Sequence, residues 1–157
     1  MRRRSLLAAA VAAPVVMGPL MTGLGLDRAR AATGGAARVR PTLTLYDARL
    51  PVAERAAFHL HRQGAPARPT GGEIAALLLR ERLFAAEGPV LGLTGHAEYL
   101  LAGDIARMAG RHVTPLMRLG PDARWLADAR HDGWRPLLAG LLEEPAAGGT
   151  AFAWIAA

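Results

Sequence analysis

The chain has no cysteine and no lysine, and a single serine, Ser5. Each absence closes a class of chemistry. Without cysteine the fold rests on its core alone, with no disulfide. No thiolate is present to hold a metal or an iron–sulfur cluster. Without lysine there is no amine for a Schiff base. Serine this scarce, with no Gly-x-Ser-x-Gly elbow, removes serine hydrolases. All positive charge is arginine, which together with abundant alanine and glycine reads as base composition of the coding sequence.

The formal charge of +6 is not a nucleic-acid signature. Arg2, Arg3, Arg4, Arg28 and Arg30, against Asp27 alone, fall in the first 31 residues; the remainder carries 14 arginines against 12 acids, a formal +2. A domain so near neutrality has no basic footprint, and no nucleic-acid partner is expected.

Residues 1–31 read as a signal peptide. Arg2-Arg3-Arg4 is a basic start, Leu6 to Leu26 is uncharged, and Ala29-Arg30-Ala31 offers the small residues of a cleavage site. Arg3-Arg4-Ser5-Leu6-Leu7 resembles the twin-arginine (Tat) export signal, which implies export of a folded protein to a periplasmic or secreted location. The alternative is a retained anchor, since 21 residues span a bilayer of ~30 Å. Pro14, Pro19 and three glycines make that run a poor anchor, so no stable membrane span is expected after cleavage. Residues 32–41 are Ala/Gly/Arg-rich and read as a flexible lead-in.

Residues 42–157 read as a single α/β domain. Strand signals occur at Thr42–Tyr46, Ala65–Thr70, Val90–Leu93, His112–Leu119 and Thr150–Ile155. The two prolines of the second confine it to a sheet edge; Pro115 weakens the fourth. Helical patterns fill the gaps. One runs from Pro51 to about Gln63, a second opens at the Thr70-Gly-Gly-Glu73 capping-box spacing and ends at Gly88, and a third runs from His96 to Gly110. A short helix over Ala123–Arg130 and another over Gly133–Glu144 follow. This alternation predicts a three-layer α/β fold: a mainly parallel sheet of about five strands with helices on both faces. The long excursion before the last strand lets that strand enter antiparallel.

Val90-Leu-Gly-Leu93 is apolar on both faces, as a central strand requires. In the helix after it, Ala97, Leu101, Ile105 and Met108 recur at helical spacing and are expected to face the sheet, with Asp104, Arg107 and Arg111 outside. Ligands of open α/β sheets bind beyond the carboxyl ends of the strands. There the first strand delivers Asp47 and Arg49, and the third delivers Thr94, Gly95 and His96. Arg49 and the helix N-terminus favour an anion. His96 is a candidate proton carrier. Glu98, one step into the helix, opposes an anion unless it points away. The bland alternatives are that Asp47 and Thr94 cap their helices and that Arg49 pairs with Asp47.

Gly92-Leu-Thr-Gly95 lacks the third glycine of a dinucleotide fingerprint, and no cofactor is expected. His59 and His61 diverge on a helix, and no metal site is expected. Tyr46-Asp47-x-Arg49 after a strand, with Gly92-Leu93-Thr94 before a helix, resembles small Tat-exported proteins of unassigned activity. That resemblance implies no reaction.

Three functions fit. The preferred one is an exported non-enzymatic accessory domain that binds a partner and acts with a larger periplasmic enzyme, because no catalytic motif is complete. The others are a small-molecule module taking an anionic ligand at the rim, and a minor enzyme using His96. Apolar surface left after folding favours the first; a closed pocket favours the second. A His96 touching a second titratable group favours the third.

Overall fold

The computed structural model describes residues 39–126, 133–143 and 148–157. The expected signal peptide, most of the expected lead-in and most of the Ala123–Arg130 segment lie outside these residues.

The first strand, β1 (Leu43–Tyr46), feeds helix α1 (Pro51–Arg62) and then the edge strand β2 (Ala67–Pro69). Helix α2 (Ile74–Arg80) leads to β3 (Val90–Thr94), and α3 (His96–Met108) leads away from it. The chain continues through β4 (Val113–Leu119), β5 (Arg124–Trp125), the short helices α4 (Arg135–Leu138) and α5 (Gly140–Glu143), and β6 (Ala151–Ala156).

The strands form one six-stranded sheet in the order β2-β1-β3-β6-β4-β5. β1 runs parallel to both β2 and β3, whereas β6 is antiparallel to β3 and to β4, and β5 is antiparallel to β4. The sheet is therefore mixed, not mainly parallel with five strands. The last strand does enter antiparallel, but in the middle of the sheet. A chain that returns from beyond β4 can fill the gap beside β3 without a crossover helix. Pro115 does not break β4; a register shift between Pro115 and Met117 absorbs its missing N–H.

Helices cover both faces. The sequence steps from β1 to β2 and then back past β1 to β3, and right-handed crossovers in opposite directions place their helices on opposite faces. On one face Ala53, Ala56, Ala57 and Leu60 of α1 join Leu91, Leu93, Leu138 and Leu141 in one core. On the other Ile74, Leu78, Ala102 and Ala106 of α2 and α3 join Leu45 and Trp154. All five β3 residues are buried, as their apolar run requires.

Three local expectations change. Arg124–Trp125 pairs with β4 where a helix is expected. Thr70 does not cap α2, which starts at Ile74 with no side-chain cap bond. Gly71 and Gly72 take positive φ (65° and 81°), so the chain turns there before it can coil.

The third correction matters most for function: α3 faces the sheet with Glu98, Ala102 and Ala106, not with Leu101 and Met108. Trp154 already fills the space beneath, so only small side chains fit between helix and sheet. Leu101 is 46% exposed and Met108 82%. Leu101→Ala is accordingly expected to cost less than about 1 kcal/mol, against ~2–5 kcal/mol for Leu78→Ala in the core. Urea unfolding of the two variants checks this; a larger loss at Leu101 would restore the other helix face.

Candidate functional site

β1 and β3 are parallel neighbours, and the chain reverses its direction of travel across the sheet at this pair. That is the switch point where open α/β sheets leave a crevice. Three parallel strands end around it. Asp47 follows β1, Thr70 follows β2, and Gly95 follows β3 as the N-cap of α3.

Asp47 is buried and acts as a clamp for Arg49. Its Oδ1 accepts the Arg49 backbone N–H at 3.0 Å and the side-chain Nε–H at 2.9 Å, while Oδ2 accepts from Nη2 at 2.9 Å. It does not cap α1, whose N-cap is Leu50 with no side-chain bond. The Arg49 hydrogen bonds, opposed by burial, hold the Asp47 carboxyl below its ordinary value.

Glu98 lies on the buried stripe of α3 and is drawn into the crevice with it. Its Oε1 meets Arg49 Nη2 at 3.5 Å and accepts from the Thr70 hydroxyl at 3.4 Å. Thr70 Oγ1 in turn accepts the Gly72 N–H at 3.3 Å. Glu98 Oε2 is buried without a hydrogen-bond partner. Burial first, and the Asp47 charge second, push the Glu98 carboxyl above its ordinary value, against the pull of Arg49, Thr70 and the Ile74 amide.

The other expected site residues divide. Thr94 is fully buried and neither caps α3 nor faces the crevice freely; its Oγ1 accepts the indole N–H of Trp154 at 2.9 Å. Gly95 has an ordinary φ of −64°, and a Cβ there would meet only Leu50 Cδ1 at 3.7 Å, so close approach is not what requires glycine. His96 is exposed, with its ring against Phe152 (5.3 Å between centroids) and Tyr99 (6.1 Å). Phe152 sits opposite Thr94 on β6, so His96 looks away from β1. Asp47, Arg49 and the Gly95 backbone therefore share the crevice with Glu98 and Thr70. The sequence pattern presents Thr70 as a strand end and a helix cap, and Glu98 as an obstacle to an anion. The Glu98-x-x-x-Ala102-x-x-x-Ala106 spacing is the signal that finds Glu98, once small residues are allowed to define the buried face.

The two acids give stability opposite pH dependences. Glu98 holds its proton more tightly when folded, so its contribution is complete below its ordinary 4.5 and is lost as pH rises through its raised folded value. Asp47 holds its proton less tightly when folded. Its contribution is present above its ordinary 3.8 and is lost as pH falls through its lowered folded value. Both contributions are present together between those two ordinary values, and stability from this pair falls on either side of that window. Glu98→Gln is expected to flatten the decline on the neutral side and leave the acid side in place. Denaturant unfolding at stepped pH measures both slopes; an unchanged neutral slope in Glu98→Gln would assign it elsewhere.

Among the described residues no group of three or more His, Cys, Asp or Glu is placed to hold a metal. No described helix is long and apolar enough to cross a membrane. Comparison with known families, curated proteins and solved structures finds no match to this chain, so its residues carry the functional argument.

Proposed function

We propose that the chain is an exported, non-enzymatic binding domain that acts with a larger periplasmic partner protein. The observation that carries this reading is apolar surface on the α2/α3 layer. Leu79 of α2 and Leu100, Leu101 and Met108 of α3 remain exposed. Leu101 and Met108 are two turns apart on one side of α3. Leu100 also lines a shallow cleft of about 360 Å³ with Tyr99, Gly103, Asp104, Arg107, His112 and Val113. Single exposed apolar residues are ordinary, but four on two packed helices, around the Asp104–Arg107 ion pair, supply apolar surface for an interface with a polar element at its middle. Of the polar residues the sequence places at the rim, Asp47 is held by Arg49 and Thr94 by Trp154, and the His96 ring lies against two aromatic side chains.

The test is a crosslinking pull-down from the exported fraction. Leu101→Glu with Met108→Glu should lose a partner that the unaltered protein retains, while both remain folded by circular dichroism. Equal recovery by the two proteins would remove this face from the proposal. A precursor with Arg3 and Arg4 both replaced by lysine should stay inside the cell. Its normal appearance outside would refute the twin-arginine route.

A further inference from the structure

The crevice over β1, β2 and β3 contains a buried carboxylate that the fold compensates only in part, through Oε1. Glu98 is 7% exposed, and its Oε2 has no donor. A buried carboxylate oxygen without a partner costs stability, and an apolar residue would serve the packing of α3 equally well. Such a group, in a crevice at a switch point, marks a binding site better than a structural element. Its neighbours set the sign of the ligand. Two carboxylates converge here, and among the described residues Arg49 is the one cation ion-paired with either. The formal balance with both acids ionised is −1. The positive end of α3 is already answered by Glu98 in its first turn. An anion entering this crevice would meet both acids.

The shape is set as well. The Arg49 guanidinium packs directly against Gly72, where a Cβ would stand 2.5 Å from Nη1 and 2.6 Å from Cζ. The slot thus has the Asp47 carboxylate along the Nε–Nη2 edge of the guanidinium and a bare glycine beside it. Arg49 fits it imperfectly. Its backbone is only two residues from Asp47, and the same Nη2 that reaches Asp47 at 2.9 Å stops 3.5 Å from Glu98. The Arg49 side chain is 64% exposed while the Asp47 carboxylate is buried, so Arg49 can leave at little cost only if another cation takes its place on Asp47.

We infer that this slot recognises a small planar organic cation, a guanidinium or amidinium group, whose place Arg49 holds in the free protein. The ligand's N–H groups take the Asp47 oxygens as Arg49 does, and without a tether they settle deeper, onto Glu98. This site uses residues distinct from the apolar face of α2 and α3, and stands or falls apart from the partner-binding reading.

The experiment opens the slot with Arg49→Ala and titrates methylguanidinium, ethylammonium, acetate and inorganic phosphate in turn. Binding is followed by isothermal titration and by the ¹³C signal of the Glu98 carboxyl. Methylguanidinium should saturate Arg49→Ala, move the Glu98 signal, and bind at least roughly tenfold more weakly to Arg49→Ala/Glu98→Gln, which loses charge-assisted hydrogen bonds. Where Arg49→Ala alone is unfolded, the same titration is read as recovery of its circular dichroism, since a ligand bound to the native state drives folding. The double variant, relieved of one buried charge, serves as the folded control. Equal binding to both variants, or none to either, overturns the site. Ethylammonium binding as tightly overturns the planar assignment. Acetate or phosphate bound by the unaltered protein and lost in Arg49→Ala overturns the sign of the ligand.

Discussion

Trp154→Ala is expected to lower stability by about 3–5 kcal/mol, the largest single loss in this domain. Trp154 is fully buried in β6, the strand between β3 and β4. Its indole fills the layer between the sheet and α2/α3, in one cluster with Leu45, Ile74, Leu78, Ala102 and Ala106. The neighbours are too small or too fixed to close the gap. Truncation also strands the buried Thr94 hydroxyl, which accepts the indole N–H at 2.9 Å. An unmet buried hydroxyl costs a further ~1–3 kcal/mol unless water enters. Against a typical total of about 5–15 kcal/mol, such a variant stands near its unfolding threshold. Trp154→Phe separates the two terms, because it keeps most of the volume and loses the donor. Guanidinium chloride unfolding curves provide the measurement. A loss below about 1 kcal/mol for Trp154→Ala would mean that the layer collapses around the gap.

Gly92→Ala should be nearly as damaging, for the opposite reason. Gly92 pairs with Trp154 across β3 and β6. A Cβ at Gly92 would lie 2.5 Å from indole Cδ2 and closer still to Cε2 and Cζ2. No rotation of a methyl group relieves that overlap. The ring has to move, and it is held by its hydrogen bond to Thr94 and by the core around it. Overpacking of this kind costs about 3 kcal/mol, near the upper end of its usual range. The glycine is thus required by the ring above it and not by backbone conformation. A double-mutant cycle tests that cause: Gly92→Ala in a Trp154→Leu background should cost far less, with a coupling above about 1 kcal/mol. Simple additivity would show that Gly92 is needed for some other reason.

The sequence by itself determined the α/β class, the central position of β3 and the edge position of β2, and it left open the antiparallel entry of β6. The two strand positions follow from local physics: an apolar run with no polar face, and two prolines in a short strand. It also located the crevice, because Asp47 and Gly95 stand at the ends of two strand patterns and the ends of parallel strands lie together. The tertiary structure alone decided the rest. Which face of α3 is buried depends on what lies beneath, and Trp154 comes from a strand about fifty residues further on. That indole made Ala102 and Ala106 the inward face and turned Leu101 and Met108 outward. It also took the Thr94 hydroxyl from the candidate site. The same rotation of α3 carried Glu98 into the crevice and gave it an acid where the sequence pattern had suggested a cradle for an anion. Helical periodicity assigns burial to the largest apolar side chains; close packing assigns it to whichever side chains fit.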